Sequence, residues 1–212
     1  MGLALILGGF LVATFLMVVA KRITALILAF RLQSLCLFLY VFSTALARSH
    51  LELFAVSALV LALKAALIPF LLARIVRRIK VEEDLGLIVN PQVSLAVTLL
   101  LTYLSYVFAR AIILPQETLR LAAFVVSLSA FCTGFFIMAS RMKALAQVLG
   151  LLSMENGVFL AAAAIAGGMP FFAELALFFD IFIFVIIIEL FVYKVNRLFT
   201  HIDTSKMDSL KG

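Results

Sequence analysis

Two cysteines, two histidines and eleven acids in 212 residues leave little from which to build a metal or redox centre. Cys36 and Cys132 stand in separate apolar stretches, where a small thiol packs well, and two distant thiols suggest neither a disulfide framework nor a metal site. The chain has no Cys-x-x-Cys, no histidine pair at helical spacing and no glycine-rich phosphate loop; His50 and His201 fall at a helix end and in a polar tail. No metal and no cofactor is therefore expected here, whether iron–sulfur cluster, haem or nucleotide. Charge is scarce as well. Only 13% of residues are charged and 66% are hydrophobic, with a mean hydropathy of +1.27. A soluble domain is about a quarter charged, so this composition cannot cover a water-facing surface. Segments of alternating polarity are also missing, which argues against a β-barrel.

What is present is a series of apolar runs of the length a helix needs to cross a bilayer. Seven are expected, at about residues 2–20, 23–47, 51–74, 92–110, 119–139, 143–167 and 170–193. The fold class predicted is all-α, a polytopic membrane protein of seven transmembrane helices. The first run has no charged n-region and no A-x-A-type cleavage pattern before Lys21, and reads as a span rather than a signal peptide. Lysine and arginine set the orientation, since cytoplasmic loops hold the excess. With the N-terminus outside and the C-terminus cytoplasmic, the inner side holds twelve: Lys21, Arg22, Arg74, Arg77, Arg78, Lys80, Arg141, Lys143, Lys194, Arg197, Lys206 and Lys211. The outer side holds three, Arg48, Arg110 and Arg120, while Arg31 and Lys64 lie within spans. The net charge of +6 is thus accounted for by inner-leaflet anchors, and no nucleic-acid partner is expected.

The chain divides into a four-helix region, residues 1–118, and a three-helix region with a short cytoplasmic tail, residues 119–212. Both begin with a helix pair joined by a short basic turn, and "ALILAFRLQSL" (25–35) can be set on "ALAQVLGLLSM" (144–154). A parallel duplication, with the fourth helix as linker, is one reading of this; chance similarity of leucine-rich helices is the other.

The informative residues are the ionisable groups inside the spans. Glu155 is 12 residues past Lys143, about 18 Å into its helix and close to the membrane midplane. Lys64 is 13 residues past Leu51, about 20 Å deep, and Asp180 is 10 past Pro170, about 15 Å deep. Each charge would cost roughly 2.5–3.5 kcal/mol at the centre of an isolated helix. They could form a structural ion pair, Lys64 with Glu155 or with Asp180, or hold a neutral carboxyl as an interhelical hydrogen-bond donor. Alternatively they form a row of proton-exchanging sites tuned by neighbours of opposite charge. Glu174 and Glu189 lie about one turn inside the two ends of the last span, where a side chain can reach water. Asp180 and Glu189 would face opposite sides of that helix, so the acids do not form one straight wire. Pro69 follows Lys64 by five residues and is expected to remove a backbone hydrogen bond and kink the helix beside it.

The stretches "SRMKALAQVLGLLSMENGVFLAA", "MPFFAELALFFDIFIFVIIIELF" and "NRLFTHIDTSKMDSLKG" resemble the hydrogenase-4 component E family. That family belongs to membrane-bound nickel–iron hydrogenases and formate hydrogenlyase complexes. Residues 119–212 are also similar to subunit K of respiratory complex I and to the C subunit of multi-subunit sodium/proton antiporters. The resemblance implies that Glu155 takes the place of a proton-relay glutamate, one helical turn later than in subunit K and so on the same face. It places Asp180 near the second relay acid, while Lys64 is like the buried lysines of antiporter-like subunits by analogy. The implied role is a non-catalytic subunit of an oxidoreductase complex in the prokaryotic inner membrane. Glu155, Asp180, Lys64, Glu174 and Glu189 would transfer protons. Its partners would be antiporter-like and quinone-channel-like membrane subunits and, indirectly, nickel–iron and iron–sulfur subunits. An antiporter subunit and a structural clamp are the alternatives.

Overall fold

A computed structural model describes residues 2–48, 51–79, 89–113 and 117–165. The described residues are helical apart from short turns, as the solvent requires: in hydrocarbon a backbone must satisfy its own polar groups, and a helix does so within one segment. The helices are α1 (Gly2–Val19), α2 (Ile23–Arg48), α3 (Leu51–Val60), α4 (Ile68–Ile79), α5 (Pro91–Ile112), α6 (Thr118–Ser140) and α7 (Ala144–Ile165). A π-helical segment, Leu61–Leu67, joins α3 to α4 without a break. Among the described residues, six stretches are long and apolar enough to cross a membrane: Gly2–Val19, Ile23–Ala47, Leu53–Arg77, Pro91–Ile112, Thr118–Ser140 and Ala144–Ala164. The protein is a multi-pass membrane protein. The seventh expected span, residues 170–193, lies outside the described residues.

Two helical hairpins, α1–α2 and α6–α7, stand side by side, with α1 against α6 and α2 against α7. The α3–π–α4 rod lies along α2, and α5 closes the opposite flank against α6 and α1. Helix α5 shows the bundle a seam of small residues, Ser94, Thr98, Ser105 and Ala109, and exposes Leu99, Leu100, Tyr103 and Phe108. Its start is set by Pro91 in the first turn, where the missing N–H needs no partner.

The tightest packing is between α6 and α7, and three glycines permit it. A Cβ on Gly134 would lie 2.6 Å from the Gly150 carbonyl oxygen and 2.6 Å from the Met154 nitrogen. One on Gly157 would lie 2.6 Å from the Ser127 carbonyl oxygen. Without an aqueous driving force, membrane helices gain from such close backbone approach through dispersion contacts, which favours small residues at the seam. The two hairpin turns also meet. The buried Arg141 donates from Nη2 to the Val18 carbonyl, and the Gln147 amide caps the Arg141 carbonyl at 2.9 Å. Burial lowers the Arg141 pKa from the ordinary guanidinium value.

Two apolar clusters divide the interior along the membrane normal. One, towards the hairpin turns, contains Met17, Leu26, Phe30, Leu72, Ile137, Leu149 and Leu152. The other, towards the opposite end, contains Phe10, Leu37, Val41, Val60, Ala130, Phe159 and Leu160. Between these clusters, α1, α2, the π segment, α6 and α7 carry buried polar residues: Thr14, Gln33, Ser34, Lys64, Thr133, Ser153, Glu155 and Asn156.

Candidate functional site: a buried polar layer

The layer is built from the middle of five transmembrane stretches, each supplying polar groups at the same depth. On α7, Glu155 and Asn156 are neighbours and so project about 100° apart, towards different partners. Glu155 faces the π-helical segment, where its Oε1 lies 2.9 Å from the Nζ of Lys64. Lys64 is fully buried and Glu155 is 8% exposed, so the pair is shielded from both lipid and water. One turn further along α7, the Phe159 ring centroid lies 5.5 Å from the same ammonium group, adding a cation–π contact.

The local backbone explains how Lys64 reaches this position. Pro69 has no N–H to give the Ala65 carbonyl, and its ring would collide with that carbonyl in a regular α-helix. The chain instead widens to π geometry just before the proline, and Ile68 donates its N–H to the Leu63 carbonyl. The expected disturbance beside Lys64 is therefore a π segment. Such widened turns rotate one stretch of helix relative to the next and are common at functional positions.

Asn156 faces α2. Its Nδ2 donates to Gln33 Oε1 at 3.2 Å and to Ser34 Oγ at 3.1 Å. Gln33 Nε2 in turn donates to Thr14 Oγ1 at 2.9 Å and to Ser153 Oγ at 3.0 Å, and Thr14 donates to the Phe10 carbonyl at 2.9 Å. One amide thus ties α1, α2 and α7 together. Asn156 Oδ1 and Thr133 Oγ1 are buried and make no hydrogen bond among the described residues. Both keep acceptor capacity inside the layer.

Of the five ionisable residues predicted for proton transfer, the structure brings Lys64 and Glu155 into direct contact. Asp180, Glu174 and Glu189 lie outside the described residues. Sequence reasoning missed the amide network. Its signal was available: Gln33 and Asn156 are amides well inside apolar spans, and each must find a partner there.

Chemically, the layer holds a carboxyl group against a cation in a low-dielectric setting. Protonation of Glu155 removes the attraction that holds Lys64, so the proton count and the position of the lysine are coupled.

The chain is 26% identical over 205 residues to Uncharacterized protein Rv0085 of Mycobacterium tuberculosis, an alignment covering 96% of this chain and 93% of that one. The two are homologous over nearly their whole length, and that relative is bacterial. No protein-family model matches the chain. No solved structure matches it.

Proposed function

We propose that this protein is an integral subunit of a complex I-like, membrane-bound nickel–iron hydrogenase or formate hydrogenlyase, supplying part of a mid-membrane proton relay. The observation that carries the reading is the Lys64–Glu155 pair, buried at 2.9 Å midway along its helices and mounted on a π-helical segment. Ionisable groups at this depth are costly in lipid and mark ion or proton pathways. A change at Glu155, driven by a neighbouring charge as the complex turns over, would release or recapture Lys64 and pass the shift along the layer. The resemblance of residues 119–212 to subunit K supports the same role and extends it to Asp180, Glu174 and Glu189. In this reading the N-terminus is outside, the C-terminus is cytoplasmic, the membrane is the bacterial inner membrane, and redox chemistry belongs to partner subunits.

The purely structural clamp is favoured by a different observation, the amide network that joins three helices through Gln33. The two readings part in one experiment. The complex is purified in mild detergent, its components are identified by mass spectrometry, and proton pumping is measured after reconstitution with Glu155→Gln and Asp180→Asn, separately and together. The relay reading expects nickel and iron–sulfur partners, intact assembly and lost or reduced pumping. Unchanged pumping in all three variants leaves the clamp. Co-purification with antiporter subunits alone, with sodium-dependent transport, moves the relay to a sodium/proton antiporter.

A further inference from the structure

Outside the polar layer, a groove of about 810 Å³ runs between α2 and the π–α4 rod on the outer surface of the bundle. Ile27, Leu28, Ala66 and Phe70 make its walls apolar, and Arg31 and Arg77 both line it. The rod separates this groove from the Lys64–Glu155 pair: Ala62 and Ala66 face the groove, whereas Lys64 and Ala65 are buried on the other side. Among the described residues no carboxylate lines it. Among the described residues, Arg31 and Arg77 make no hydrogen bond or ion pair, although both are exposed.

Depth makes the two arginines unequal. Arg77 is near the end of α4, at the bundle end that carries the hairpin turns, where charge reaches water. Arg31 is eight residues into α2, about 12 Å from its start, on a face that otherwise presents Leu28 and Ile27. A guanidinium at that depth needs an anion or a route to water to offset its desolvation. An apolar trough with two cations, unpaired among the described residues, in the half nearer the hairpin turns matches an amphiphile with an anionic head and hydrocarbon tails. Its volume falls within the roughly 300–1,000 Å³ of small-molecule sites, room for a headgroup and part of a tail.

We infer that the α2–α4 groove is a binding site for an anionic phospholipid, its phosphate between Arg31 and Arg77 and an acyl chain along Ala66, Leu67 and Phe70. Basic pockets between transmembrane helices hold anionic headgroups in this way. The inference stands apart from the relay: it uses none of the residues of the polar layer and survives if that reading fails.

Native mass spectrometry of the full-length protein, in mild detergent with equimolar dioleoyl phosphatidylglycerol and dioleoyl phosphatidylcholine, tests it. Retained lipid should be mostly phosphatidylglycerol. Arg31→Gln and Arg77→Gln should each reduce that preference about fivefold, the factor contributed by one basic residue near an anionic lipid. Lys21→Gln, at the exposed hairpin turn, should leave it unchanged. Ala66→Trp fills the trough without altering charge and should reduce retention of both lipids, which keeps the test valid if the arginine variants unfold. Equal retention of the two lipids, or a preference that survives both arginine replacements in folded protein, overturns the inference. So does displacement of phosphatidylglycerol by millimolar inorganic phosphate, which would make the site one for a soluble anion. A photo-crosslinker at Leu28 in native membranes should yield lipid adducts; an adduct to another protein's helix instead would also overturn it.

Discussion

Replacing Lys64 with methionine keeps most of its volume and removes its charge, leaving Glu155 with no cation in the 2.9 Å contact it now makes. The stranded carboxylate can escape by taking up a proton. From the ordinary glutamate value of about 4.3, doing so at pH 7 costs about 3.7 kcal/mol, which caps the penalty. Breaking buried pairs elsewhere costs about 3–5 kcal/mol, in the same range. The double variant Lys64→Met/Glu155→Leu removes both charges and should come within about 1 kcal/mol of the parent, because a packed apolar pair avoids desolvation altogether. Glu155→Leu strands Lys64 in turn, so both single variants should lose more than the double, and the coupling should reach at least the upper end of the roughly 0.5–3 kcal/mol usual for residues in contact. Reversible unfolding in mixed micelles by sodium dodecyl sulfate titration measures each corner. The sign with pH is also fixed. In Lys64→Met the folded state holds a proton that the unfolded state releases above about pH 4.3, so stability should fall as pH rises. At pH 5 the penalty should shrink to about 1 kcal/mol. A neutral Lys64→Met variant, or a penalty independent of pH between 5 and 7, would refute the desolvated ion pair.

Gly157→Ala places a methyl group 2.6 Å from the Ser127 carbonyl oxygen, so α6 and α7 must separate, with an expected loss of about 1–3 kcal/mol in the same titration. Gly8→Ala meets nothing within 4 Å and should be neutral or slightly stabilising, which controls for helix propensity. Gln33→Leu removes three interhelical hydrogen bonds, and at about 0.6 kcal/mol for each in a membrane protein it should destabilise by roughly 2 kcal/mol. Combined with Asn156→Leu it should be less than additive, since the two amides share a bond. Arg141→Met should lower stability by about 1.5–3 kcal/mol through loss of the charge-assisted bond to Val18, and limited proteolysis should then cut the two hairpin turns faster.

The membrane class, six of the spans and the depth of the buried charges were legible because they depend on quantities that add along the chain. Apolar length and a fixed rise per residue placed Lys64 and Glu155 at about the same level, and at that level they meet. The choice between Glu155 and Asp180 as partner of Lys64 was not legible, since depth does not say which way a side chain points. Pro69 announced a disturbance in its helix but not its form. The sequence alone could suggest a kink, whereas the π segment emerges from the need to seat Lys64 against Glu155 and Phe159 while relieving the proline ring. The sequence reads Arg141 as an inner-leaflet anchor in a short basic turn; the structure buries it against the neighbouring hairpin.

The sequence by itself determined that this chain lives in a membrane, crosses it as helices and carries a lysine and an acid near the midplane. These follow from composition and from one-dimensional spacing, which lipid reads directly. Only the tertiary structure decided which faces meet. Helices α1, α2, α6 and α7 are apolar nearly all round, so no amphipathic stripe sets the rotation of each about its axis. That rotation was fixed by the few groups lipid cannot satisfy, Gln33, Lys64, Glu155 and Asn156, and by glycines small enough to let α6 and α7 touch. Their partners lie on other helices, up to 123 residues away along the chain, so the polar layer exists only when those helices assemble.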